Sequence, residues 1–274
     1  MNRSQRRRGR PTLAQQADKY DCYQKSVQEP EAEIPVIQRV FRKHRGRQPR
    51  SLREDFCGTA AMTCAWVRGH RENTAVGIDL DDECLQWGRR HNVGALTPEQ
   101  QSRVKLIQGD VLDVGHEPVD VAVAFNFSYF LFRTRPEMLR YMRAARATLG
   151  AEGMLFLDVY GGTEAQQPRT VRRSYRGFTY VWEQRAFDPI RSWGQNFIHY
   201  EFPDGSALRR AFSYDWRIWS IPELREILAD AGFSRTEVYW EGTCQRTGQG
   251  NDVYMRRERA EADPAWVAYM VALP

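Results

Sequence analysis

The sequence predicts an α/β protein in which helices cover both sides of a mostly parallel, doubly wound sheet and an antiparallel β subdomain is inserted late in the chain. Three observations predict it. Residues 50–80, RSLREDFCGTAAMTCAWVRGHRENTAVGIDL, read as a strand, a tight turn at Cys57-Gly58-Thr59-Ala60, a helix, and a second strand ending on Asp79. Val119 to Phe125 and Met154 to Val159 are short, continuous apolar runs, the pattern of strands buried on both faces. Between Pro168 and Trp219 aromatic residues alternate with period two, as in Phe178, Tyr180 and Trp182, or Phe212, Tyr214 and Trp216, which is the signature of a half-buried antiparallel sheet.

The elements follow in order. Residues 1–16 are expected to be a disordered basic tail and residues 17–48 a helical cap. In the cap a short helix begins at Ala17 and puts Tyr20 and Tyr23 on one face, and Ile34, Ile37 and Phe41 mark a second helix ending near Arg42. The core, residues 49–167, carries expected strands at 51–56, 75–79, 104–108, 119–125 and 153–159 and helices at 59–69, 81–91 and 135–149. Right-handed crossovers make this sheet parallel. Three antiparallel strands fit the insertion, 168–219, with a turn at Pro203-Asp204-Gly205-Ser206. In the last segment, 220–274, Ser220 caps a helix with Pro222 in its first turn, Gly232 ends it, and strands at 235–240 and 265–273 complete the sheet.

The chemistry of the first turn narrows the ligand. An acid about 20 residues past such a turn sits at a strand tip, where it accepts ribose hydroxyls, and Asp79 is that acid. Helix capping is the competing role for Asp79, but Asp81 is better placed for it. A dinucleotide site uses G-x-G-x-x-G, whereas Ala60 and Thr63 occupy the later glycine positions here. Glu54 and Asp55 lead into the turn, where they repel a diphosphate and favour a cation. S-adenosylmethionine (SAM) is a nucleoside with a sulfonium, an ammonium and no phosphate.

Cys57-Gly58-Thr59, Gly77-Ile78-Asp79 and Gly109-Asp110-Val111 resemble successive motifs of the class I SAM-dependent methyltransferases, over roughly residues 50–160 plus a weaker C-terminal part. The resemblance implies a Rossmann-like, doubly wound, mostly parallel seven-stranded sheet ending in an antiparallel hairpin, SAM as cofactor, and methyl transfer. It implies a cofactor-binding set of Tyr20, Tyr23, Glu54, Asp55, Cys57, Gly58, Thr59, Asp79, Leu80, Asp110, Val111, Asn126 and Phe127. Asp110 would accept the adenine amino group and Val111 would offer a backbone N–H. Glu54 takes the role of the family's first acid by ungapped counting, with Asp55 beside it as the alternative. Phe56 and Ala60 stand where the family turn has glycines.

Asn126-Phe127-Ser128-Tyr129 follow the fourth strand, at the sheet edge where open α/β sheets bind ligands, so Asn126 is a candidate to orient an acceptor amine or hydroxyl. Tyr180, His199, Tyr214 and Glu183 are candidates to handle the acceptor's proton. The expected acceptor is a small molecule, methylated at N, O, S or C by in-line displacement. The aromatic insertion has three readings: a lid or wall for that acceptor, a dimer surface, or a stacking platform for nucleic acid with its interleaved arginines. An RNA methyltransferase and a noncatalytic SAM- or nucleoside-binding module are the alternative functions.

The formal net charge of +5 arises from the tail, since Met1 to Arg10 holds five arginines and no acid and the rest balances 35 basic against 35 acidic residues. A neutral body argues against a nucleic-acid groove. The chain has no apolar run near the about 20 residues that span a bilayer, so no membrane partner is expected. Five cysteines, odd in number and without a C-x-x-C pair, suggest neither a disulfide framework nor a zinc site and point to the cytoplasm. The five histidines are scattered singly and no metal is expected. A monomer or homodimer is expected.

Overall fold

A computed structural model describes residues 10–115, 117–243 and 250–274. The cap contains α1 (Leu13–Gln16), α2 (Lys19–Ser26) and α3 (Pro30–Arg45). The core alternates β1 (Ser51–Asp55), α4 (Ala61–Gly69), β2 (Thr74–Asp79), α5 (Asp82–Gly88), the short α6 (Pro98–Gln101), β3 (Val104–Gln108), β4 (Val119–Ala124), α7 (Arg135–Ala147) and β5 (Leu149–Gly161). A separate sheet follows, β6 (Arg169–Tyr175), β7 (Phe178–Asp188), β8 (Trp193–Glu201) and β9 (Ala207–Arg217). The chain then runs through α8 (Ile221–Asp230), β10 (Arg235–Thr243), β11 (Gly250–Arg256) and β12 (Trp266–Leu273).

The central sheet has the order β11-β10-β12-β5-β4-β1-β2-β3, with β1 to β5 parallel and β10, β11 and β12 antiparallel. Its strands alternate as burial on two faces requires. Leu155, Leu157 and Val159 of β5 join α7 and α8 in one core, while Met154 and Phe156 join α3 and α4 in the other. Sheet order reverses between β1 and β4, which opens a crevice at their carboxyl ends.

Three expectations are corrected. The sheet has eight strands among the described residues, because Gly250–Arg256 adds an outer strand that its charged, weakly alternating sequence does not advertise. The insertion has four strands, since Arg169–Tyr175 pairs with Phe178–Asp188 across the turn at Arg176-Gly177. The tail does not reach residue 16: Thr12 forms a capping box with Gln15, and Leu13 and Ala14 donate their N–H groups to Asp204 and Ser206 in the β8–β9 turn. Met1–Gly9, His116 and Cys244 lie outside the described residues. The second cap helix runs past Arg42 to Arg45, where Gly46 at φ 70° stops it. No helix among the described residues is long and apolar enough to cross a membrane.

Candidate functional site

The turn after β1 is built from unusual backbone. Phe56, Gly58 and Ala60 have φ of 58°, 52° and 60°, the left-handed region that costs an L-residue about 1–2 kcal/mol. Phe56 and Ala60 thus keep the conformation that glycine would adopt freely. The turn is held by its neighbours: Cys57 donates its N–H to Ile78 O (2.9 Å), and Gly58 donates to Asp79 Oδ2 (2.7 Å). A Cβ on Gly88 would lie 2.4 Å from Thr59 O, so α5 can pack against the turn only with glycine there. The second strained point follows β4, where Asn126 and Phe127 have φ of 58° and 56° and Phe127 donates its N–H to Asp158 Oδ1 (2.9 Å). Strain collects at the two lips of the crevice.

Asp79 stands half-buried at the tip of β2 and also accepts the N–H of Asp81 (2.9 Å), while Asp81 caps α5 through Cys84 N, as anticipated. Leu80 beside it is 66% exposed. Asp110 turns the loop after β3 by accepting Leu112 N (2.9 Å), and Val111 is buried. Thr59 donates its hydroxyl to Gln28 Oε1 of the cap (2.6 Å).

The adjacent acids Glu54 and Asp55 have different fates. Asp55 is sealed in the core, where Arg53 Nε donates to one carboxylate oxygen (2.6 Å) and the Tyr141 hydroxyl to the other (3.0 Å), so it leaves the ligand-binding set. Glu54, on the other face of β1, accepts Thr63 N (2.8 Å) and Thr63 Oγ1 (2.5 Å) with one oxygen only, and burial pushes its carboxyl up to about 7.

Two residues that the sequence reading missed join it. Asp158, at the carboxyl end of β5, is buried and pushed up to about 7 by that burial, against the N–H groups it accepts. Glu33 of α3 sits well above the usual carboxylate range, first through burial and then through the charges of Asp158 and Glu54. Burial likewise raises Asp79. None of these four carboxyls is ion-paired with Lys, Arg or His among the described residues. The available signal was a lone acid within an otherwise apolar strand, Asp158 in MLFLDVY.

The insertion sheet closes over this crevice with one face. Tyr23 and Tyr20 of α2 pack on Phe212 (ring centroids 4.7 and 6.1 Å), Tyr23 lies beside the Tyr214 hydroxyl, and Trp216 meets Phe127 and Tyr160. Tyr180, Trp182, Tyr200, Phe212, Tyr214 and Trp216 share that face. Burial raises the Tyr180 and Tyr214 hydroxyls, keeping them protonated. Tyr20 is buried against Trp87 and Phe212, which makes it packing between α2, α5 and β9. Asn196 is also on this face, with its side-chain Nδ2 buried and without a partner.

His199 and Glu183 fall on the opposite face. His199 Nε2 meets Glu183 Oε2 at 2.8 Å, and His199 Nδ1 accepts the N–H of Arg210 (2.9 Å). Adjacent strand positions point to opposite sides, so neither residue addresses the crevice, and both leave the set of proton-handling candidates.

No family model matches the sequence, and no curated protein matches it closely enough to count as a relative. Solved structures do match. DesVI of Streptomyces venezuelae aligns over 94% of this chain and 98% of its own, with a TM-score of 0.66 at 17% identity. The sugar N-methyltransferase KedS8 of Streptoalloteichus aligns over 100% and 98%, with a TM-score of 0.63 at 18% identity. CalS10, a SAM-bound amino pentose methyltransferase of Micromonospora echinaspora, aligns over 95% and 99%, with a TM-score of 0.63 at 16% identity. The chain has the fold of these three structures, two of them methyltransferases. The likeness spans cap, core and insertion together.

Proposed function

We propose that this chain is a SAM-dependent methyltransferase acting on a small-molecule acceptor. The observation that carries it is the set of four carboxyls, Glu33, Glu54, Asp79 and Asp158, around one crevice without a basic partner among the described residues. Burying carboxylates without a counter-charge is costly, and a ligand that brings its own positive charge relieves that cost. Asp79 at the β2 tip suits a ribose, which makes the ligand a cationic nucleoside. SAM meets both demands, whereas the diphosphate of a dinucleotide does not. The fold shared with solved methyltransferases of sugars supports the same reading.

In this assignment Asp79 accepts the ribose hydroxyls, Asp110 and Val111 meet the adenine, Glu54 faces the cationic methionine end, and Asn126 and Phe127 wall the far side. Bound SAM supplies the electrophilic methyl for in-line displacement. The chain's own task is to bring an acceptor against it and exclude water. The inner face of β7 to β9 and the tips of β4 and β5 form the acceptor wall. Tyr180, held protonated, donates a hydrogen bond to an acceptor, and the Tyr214 hydroxyl donates to Tyr23 and orients that second hydroxyl beside it. An amine acceptor must first lose a proton, and Asp158, poised near 7, suits that transfer. A nucleic-acid acceptor is disfavoured because most insertion arginines already have acids: Arg172 and Arg209 pair with Glu201, Arg185 with Glu183, Arg191 with Asp188, Arg217 with Glu223 and Arg169 with Glu164.

Calorimetric titration with SAM, its demethylated product and NAD tests the proposal, followed by turnover on a panel of sugars and amino sugars. SAM and its product should bind at micromolar concentrations and NAD should not. Absence of SAM binding to the folded protein overturns it.

A further inference from the structure

Arg53 is a fully buried arginine in the middle of a parallel strand, a position where a charge needs a reason. Its guanidinium is used on three sides: Nε donates to Asp55 Oδ1 (2.6 Å), one terminal nitrogen to Val114 O (2.9 Å) and the other to Val111 O (2.8 Å). Val111 and Val114 flank the tip of the loop after β3, whose start is shaped by Asp110 through Leu112 N, Asp113 N and Val114 N. The Asp55 carboxylate that orients the fork is itself fixed by Tyr141 of α7. One rigid planar group therefore clamps the carbonyls of the Asp110 loop to β1, two strands away in the sheet.

We infer that Arg53 is a positioning residue that sets the base selectivity of the site, by holding the Asp110–Val114 loop at the height where it reads the purine edge. This rests on the proposed function, in which that loop meets the adenine. A plain aliphatic residue at position 53 would fill the strand equally well but take the Arg53 donors from the Val111 and Val114 carbonyls. Lysine would keep the charge but could not bond both carbonyls and Asp55 in one plane.

The test compares S-adenosylhomocysteine with S-inosylhomocysteine, which differ at the purine 6-position, and with the 2′-deoxy form of the former, on wild type, Arg53→Lys and Asp55→Asn. Wild type should prefer the adenosyl over the inosyl compound by about five- to tenfold, the worth of one hydrogen bond. In Arg53→Lys that preference should fall to within about twofold, while the penalty for removing the 2′-hydroxyl, read at Asp79, stays at its wild-type value. Asp55→Asn, which keeps an acceptor for Arg53 Nε, should retain most of the preference and serves if Arg53→Lys does not fold: a preference reduced to within about twofold in folded Asp55→Asn would then overturn the inference. Retention of the full wild-type preference by folded Arg53→Lys overturns it, as does equal loss of the purine and 2′-hydroxyl preferences, which marks Arg53 as scaffold only. Wild type that binds both compounds equally removes base reading from the loop and overturns it too. Wild type that binds neither overturns the proposed function itself, and this inference falls with it.

Discussion

In the central sheet the proposed ligand-facing residues, Glu54, Asp79, Asn126 and Asp158, stand at or near the carboxyl ends of strands, while in the insertion sheet Tyr180, Tyr214 and Trp216 stand along one face. The difference follows from burial. Strands covered by helices on both sides have no open face, so only their ends reach a ligand, and the backbone there bends into left-handed conformations at Phe56, Ala60, Asn126 and Phe127. A sheet covered on one side offers every second residue to the crevice and removes the ones between, which is how His199 and Glu183 came to stand outside it.

The sharpest way to break this comparison is Trp216→Ala. Trp216 is buried at the seam of the two sheets, against Phe127, Phe130 and Tyr160, so its truncation should cost about 3–5 kcal/mol in denaturant unfolding and weaken SAM binding with it. Tyr180→Phe and Tyr214→Phe should lower turnover with little change in melting. Equal losses of stability in all three variants would make the inner face scaffold rather than acceptor wall.

Asp79→Ala should reduce SAM affinity by about 30- to 150-fold, near 2–3 kcal/mol, through lost charge-assisted bonds, as read by calorimetry. Unchanged affinity in a folded variant would end the ribose assignment.

The carboxyl cluster predicts an inverted pH response. Glu54 and Asp158 rise to about 7 in the folded chain, from ordinary values of 4.5 and 3.8, so between about pH 4 and 7 the folded state holds more protons than the unfolded state. Stability of the ligand-free protein should therefore fall as pH rises through that window, on the order of 1–3 kcal/mol. SAM affinity should rise over the same interval, because the cation favours the ionised carboxyls. Glu54→Gln should flatten part of both slopes and raise the ligand-free melting temperature. A melting temperature that climbs from pH 5 to pH 8 in the absence of ligand would contradict the cluster.

The smallest expected effect is at His199. His199→Gln should leave turnover within about twofold and cost about 1 kcal/mol of stability from its two hydrogen bonds. A large loss of turnover at unchanged stability would bring the outer face into the chemistry.

The sequence by itself determined the βαβ start, the position of Asp79, the Ser220 cap and the alternation of the insertion, because each is fixed by spacing over a few residues: a strand tip, a cap three residues from its partner, a period of two. It also marked Phe56 and Ala60 as replacing expected glycines, and those residues take the glycine conformation. Only the tertiary structure separated the surroundings of Glu54 and Asp55, since neighbouring residues on β1 face opposite layers and their partners Thr63 and Tyr141 arrive from α4 and α7. It alone brought Glu33 and Asp158 to the same crevice from α3 and β5, more than a hundred residues apart in the chain. Charge repulsion and burial are properties of that convergence, and no local pattern encodes them.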